Sequence, residues 1–129
     1  MDIIVQQNTG YGFGMIDAAG YERHTDYVVC LDIDSVRRAL DPQKPQLLIT
    51  GGLGFQNEHE ALPTLKQLRT EFPLLVCVGF SFFEMSGPFE RVIQKYGNQN
   101  RLQEIQAAIN DFRDGKLTRT TEATPSTST

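Results

Sequence analysis

A chain of 129 residues, 40% hydrophobic and 22% charged, is long enough to bury one core and has the ordinary make-up of a globular domain. Its net charge of -4 gives no general attraction to nucleic acid or to anionic membranes, which need clustered Lys and Arg. No apolar run approaches membrane-spanning length and no cationic, apolar signal segment opens the chain, so the cytoplasm is the default compartment.

Asp2 to Val5 reads as a short first strand running into the polar Gln6-Gln7-Asn8. Thr9 to Gly20 then carries Gly10, Gly12, Gly14 and Gly20. Each glycine costs a helix interior roughly 1 kcal/mol relative to alanine, so any first helix is expected late and weak, from near Gly14. Tyr27 to Leu31 is a second, buried strand. Ser35 is the expected cap of a short helix, Val36 to Leu40, which Pro42 terminates. Leu47-Leu48-Ile49-Thr50 is a continuous apolar run with a β-branched end, as a strand covered on both faces requires. It stops at Gly51-Gly52, with Gly54 close behind. In open α/β sheets that edge is where ligands bind, yet no Asp, Glu, Ser, Cys, His or Lys stands at this tip.

Glu60 to Phe72 has helical spacing, with Leu62, Leu65, Leu68 and Phe72 near one face and Pro63 tolerable only in the first turn. Pro73 ends it and hands over to Leu74 to Val78, a fourth strand. Phe80 to Phe89 is Phe-rich and, with Gly87-Pro88, reads as irregular. Glu90 to Lys95 is a fifth, edge-like strand. Asn100 is the expected cap of a final helix whose apolar stripe is Leu102, Ile105, Ile109 and Phe112. Lys116 to Thr129 is a Thr/Ser/Pro stretch with Leu117 its only large apolar residue. Such a tail is expected to stay disordered and to be removable at almost no cost in stability, which places one domain at 1–115 and the tail at 116–129. Strands alternating with helices imply a doubly wound parallel sheet of five strands, a flavodoxin-like α/β domain.

The two cysteines, Cys30 and Cys77, each fall inside an apolar run and read as buried, reduced thiols. His24 and His59 have acidic neighbours (Asp26, and Glu58 with Glu60) but no histidine partner at helical spacing, so no metal site is read. Spacing alone assembles no triplet of nucleophile, base and orienting group.

The order of these elements resembles the receiver domain of two-component response regulators. Tyr27-Val28-Val29-Cys30 to Leu40, then Gln43 to Thr50, is similar to a receiver's second strand, second helix and third strand. Glu60-Ala61-Leu62 to Leu68-Arg69, with Phe72-Pro73, is similar to the third helix and its exit into the fourth strand. Val92-Ile93-Gln94-Lys95 followed by Asn100 to Phe112 is similar to the fifth strand, with its terminal lysine, and the last helix. The resemblance covers nearly the whole folded part, through degenerate motifs.

Carried over one position at a time, it implies a pseudo-receiver. Receivers end the first strand with an acidic pair that holds magnesium, where this chain has Gln6 and Gln7. Neutral amides are poor substitutes for carboxylates around a hard divalent cation. Gly51 stands at the phosphoacceptor position and Gly79 at that of the switch hydroxyl, and only Lys95 keeps the expected residue. The implied function is that of a signalling adaptor rather than an enzyme, with no cofactor and no metal, binding another protein or a second copy of itself. The region between the fourth and fifth strands is shorter than usual, so a reduced or missing fourth helix is expected. Receivers commonly signal through the face made by the fourth helix, fifth strand and last helix. Phe82, Phe83, Met85 and Phe89 are therefore the expected partner-binding residues. The alternative is that these rings cover the sheet where the helix would have been.

A second reading starts from Ile49 to Phe55, which resembles the TGGxGF opening of extended short-chain dehydrogenases. It implies a small nucleotide- or phosphate-binding enzyme using the Thr50 to Phe55 turn, with glycines admitting a pyrophosphate at a helix start. Against it, the family's next glycine position falls on Asn57, its Tyr-x-x-x-Lys pattern is absent, and the family's motif follows the first strand, whereas here two strands precede the one that carries it. Gly10-x-Gly12-x-Gly14 is separated from its strand by polar residues and reads as a loop. Asp32-x-Asp34 resembles the aspartate pair of haloacid-dehalogenase-type phosphatases, with Thr50 as a later strand-end hydroxyl. No acidic cluster follows the fourth strand, and a solvated turn explains the pair as well.

Overall fold

The computed structural model describes residues 2–6, 16–50, 58–81, 89–94 and 98–119. Five parallel strands, β1 (Ile3–Gln6), β2 (Val28–Cys30), β3 (Gln46–Thr50), β4 (Leu75–Ser81) and β5 (Arg91–Gln94), form one sheet in the order β2-β1-β3-β4-β5. The helices are α1 (Ile33–Ala39), α2 (Glu58–Glu71) and α3 (Arg101–Arg113), and residues 16–18 are also helical. This is the doubly wound, flavodoxin-like sheet that the alternating pattern predicts. None of the helices among the described residues is long and apolar enough to cross a membrane.

The unbroken apolar runs have the expected cause. Successive side chains of a strand point to opposite faces, so a strand covered on both sides must be apolar throughout. Ile3, Val5, Leu47, Ile49, Val76, Val78 and Phe80 pack with Ile105, Ala108 and Ile109 of α3 on one face. Ile4, Leu48, Leu75 and Cys77 pack with Val36 of α1 and with Leu65 and Leu68 of α2 on the other. The last-helix stripe docks as expected, with Leu102 and Phe112 flanking it half-buried.

Several boundaries move. Asp32, not Ser35, caps α1: its carboxylate accepts the Ser35 backbone N–H at 2.8 Å and the Ser35 hydroxyl at 2.6 Å. A cap residue satisfies the donor of the third helical position, so the helix begins at Ile33 and Ser35 lies inside it. Helix α2 starts at Glu58, which leaves Pro63 as its sixth residue, beyond the first turn where a missing N–H is harmless. Asn100 is the N-cap of α3 by position, but its side chain makes no capping bond. Asn98 orders this corner instead, accepting the Asn100 N–H at 3.0 Å and donating to the Gln94 carbonyl at 2.9 Å.

Strand β4 runs through Phe80 to Ser81, so the irregular stretch begins later than its composition suggests. Phe80 continues the inward alternation of Val76 and Val78 and is fully buried opposite Ile93. Only residues 82–90 then connect β4 to β5, short for a parallel crossover, and 82–88 lie outside the described residues. At the other end, Leu117 is 7% exposed and belongs to the core on the α3 face, and Arg119 is hydrogen-bonded to the end of α2. The folded unit therefore reaches at least Arg119 rather than stopping at 115. Residues 120–129 lie outside the described residues.

Candidate functional site

In this strand order the chain reverses direction across the sheet between β1 and β3, and the carboxyl ends of those two strands form the crevice where open α/β sheets bind ligands. The register puts Cys30, Gln6, Thr50 and Gly79 side by side in a row at this edge. By alternation they share the face of Ile4 and Leu48. The middle pair is directly bonded. The Thr50 hydroxyl donates to Gln6 Oε1 at 2.7 Å, and Gln6 Nε2 donates to the Leu31 carbonyl at 3.0 Å. Both side chains are buried, Gln6 to 1% and Thr50 to 0% exposure. An uncharged clamp thus ties the ends of β2, β1 and β3 together.

Burial, with the nearby Asp32 carboxylate, pushes the Cys30 thiol above its ordinary value, opposed only in part by Arg38. A protonated thiol is a poor nucleophile and a poor metal ligand. The bonds from Ser35 hold the Asp32 carboxyl below its ordinary value, so it is an ionised helix cap. Asp34 lies in the first turn of α1. His24 is exposed, with its backbone held in the left-handed region at φ 69°. No group of three His, Cys, Asp or Glu among the described residues is placed to hold a metal ion.

Of the residues expected to form the site, Gln6 ends β1 as predicted, whereas Gly79 lies inside β4, two residues before its end, flanked by Thr50 and Val92. Phe89 is half-buried against the α1/α2 face of the sheet. Gln7, Gly51, Lys95, Phe82, Phe83 and Met85 lie outside the described residues, as do the Gly10 to Gly14 loop and the rest of the turn to Phe55. At the opposite, amino edge of the sheet there is a polar cavity of about 390 Å³ between Asp2, Arg38, Asp41, Lys44 and Gln46. Its acidic and basic groups offset one another, and Gln46 bridges the Asp41 N–H and the Ala39 carbonyl at 2.7 and 3.0 Å.

Sequence reasoning missed a second polar centre. Arg69 of α2 and Glu90, just before β5, form a bidentate pair at 2.7 and 2.6 Å, with side chains 0% and 1% exposed. Glu90 is also stitched to the middle of β4: its carboxylate accepts the Cys77 N–H at 2.6 Å and its own N–H donates to the Cys77 carbonyl at 2.8 Å. Burial pushes the Cys77 thiol up to about 12, against the opposing influence of Arg69. One signal was available: Arg69 follows Leu65 by four residues and so lies on the same buried face of the helix.

Comparison with protein-family models, curated proteins and solved structures gives no match. Among the described residues, then, the crevice holds a buried amide and a buried hydroxyl bonded to each other, beside a protonated thiol. The charged pair lies away from it, on the α2 face between β4 and β5.

Proposed function

We propose that the chain is a receiver-like, cytoplasmic signalling or adaptor module that binds another protein, or a second copy of itself, without phosphoryl transfer. The observation that carries this reading is the neutral Gln6–Thr50 clamp at the switch point of a sheet ordered 2-1-3-4-5. Magnesium is held by hard oxygens, usually carboxylates, in near-octahedral geometry. Here the side-chain oxygen at the end of β1 is a neutral amide oxygen already accepting the Thr50 hydroxyl, and the amide nitrogen bonds Leu31. Two unpaired, buried cysteines suit a reducing compartment. The partner is proposed to bind through Phe82, Phe83 and Met85, with Phe89 as the inner edge of the contact. Phe89 supports this by resting on the core with only part of its ring covered.

Incubation with acetyl phosphate and magnesium should leave the intact mass unchanged, and a phosphoryl gain on an Asp or Glu would overturn the reading. Phe82→Asp and Phe83→Asp should abolish self-association or partner capture while leaving the circular dichroism intact. If both variants unfold, these rings are core and the proposed interface is wrong.

A further inference from the structure

The segment after α3 departs most from the solvated tail its composition predicts. Helix α3 ends in a paired cap: Gly115 takes φ +77°, its N–H donates to the Phe112 carbonyl at 3.2 Å, and the Lys116 N–H donates to the Asp111 carbonyl at 2.7 Å. A left-handed residue followed by this bond pair reverses the chain at a helix end. The Leu117 N–H joins the same Asp111 carbonyl at 3.0 Å, and the side chain enters the core on the α3 face. Two residues later the chain engages the opposite layer. Arg119 Nη1 donates to the carbonyls of Arg69 at 2.9 Å and Pro73 at 3.2 Å, with that of Phe72 at 3.5 Å.

The chemistry of that seat is specific. In a regular helix the Arg69 carbonyl would accept the N–H four residues on, but that residue is Pro73, which has none. The carboxyl end of a helix also carries partial negative charge. A guanidinium meets both conditions: its Nη1 reaches the three carbonyls, and being more weakly hydrated than an ammonium it loses less on entering the seat. Beyond Arg119 the ten residues 120–129 carry only Ala123 and Pro125 as apolar side chains, and Thr118 between the two anchors is exposed.

We propose that Leu117 and Arg119 form a releasable clasp across the two helical layers, and that the carboxyl end of α2 is a guanidinium-binding socket which Arg119 fills in cis. The clasp stands independently of the receiver reading.

The test uses the full chain. Arg119→Ala should lower Tm by several degrees. Ethylguanidinium at millimolar concentration should restore Tm saturably in that variant and not in the wild type, while ethylammonium should fail to do so. A melting curve equal to wild type, or equal effects of the two cations, would overturn the socket. Should Arg119→Ala not fold, Arg119→Lys carries the same comparison, melting below wild type and responding only to ethylguanidinium. Hydrogen exchange on the wild type tests release: the Leu117 amide should exchange at least about tenfold faster than that of Val78, through local opening. Exchange of both at one rate, set by global unfolding, would show that the clasp never opens alone.

Discussion

Replacing Arg69 by methionine leaves the Glu90 carboxylate, its side chain 1% exposed, without the guanidinium that grips both its oxygens. Removing one partner of a buried pair costs about 3–5 kcal/mol, because the survivor is a charge in a medium that solvates it poorly. For a domain of this size each kcal/mol shifts Tm by roughly 3–6 °C, so Arg69→Met should lower Tm by roughly 10–30 °C. Removing both charges should be much less harmful. In Arg69→Met/Glu90→Leu no ion is stranded, but the Cys77 N–H loses the acceptor it has at 2.6 Å. An unmet buried donor costs about 1–3 kcal/mol, and that residue of the loss should remain in the double variant. Urea denaturation of wild type, both single variants and the double variant measures the cycle. An Arg69→Met variant within about 1 kcal/mol of wild type would refute the burial and pairing argued for this centre.

Ile105→Ala, at a fully buried position of α3, should cost about 2–5 kcal/mol in the same assay, and an unchanged midpoint would mean that α3 is not docked. Asp32→Ala should lower Tm by loss of the α1 cap, with Asp32→Asn recovering most of it. Because the folded Asp32 carboxyl sits below its unfolded value, the cap's contribution is complete above that unfolded value. It is lost as pH falls through the folded value, a loss that Asp32→Asn should lack. Cys77 has the opposite sign: its folded value is raised from 9.0 to about 12, so stability should be intact below pH 9 and decline as pH rises toward 12. Cys77→Ala should flatten that decline, which alkaline melting curves would show.

Much of the framework was legible because its cause is local. Leu47 to Thr50 must lie between two layers, since no solvent-facing strand has four such residues in a row. The stripe of α3 is equally explicit at helical spacing. Near misses arose where two residues competed for one role. Asp32 and Ser35 are both cap formers, and in the structure the Asp32 carboxylate takes the role by accepting both the Ser35 N–H and its hydroxyl. Phe80 resembles its aromatic neighbours in composition, but alternation from Val76 and Val78 assigns it to the strand. The place of the crevice could be read from strand order, but not its contents. The Gln6–Thr50 bond joins residues 44 apart, and Arg119 answers a carbonyl 50 residues away. No composition or periodicity registers a proline's missing donor being supplied from a Thr/Ser-rich tail.

We propose that the switch point is a neutral Gln6–Thr50 clamp rather than a phosphorylation site. The most direct measurement is a magnesium titration, with and without beryllofluoride as the phosphoryl mimic, followed by amide chemical shifts. The Gln6 side-chain amide and the backbone amides of Gln6 and Thr50 should stay unmoved at millimolar magnesium, and the mimic should add nothing. Saturable shifts at those three groups that grow when beryllofluoride is added would contradict the account.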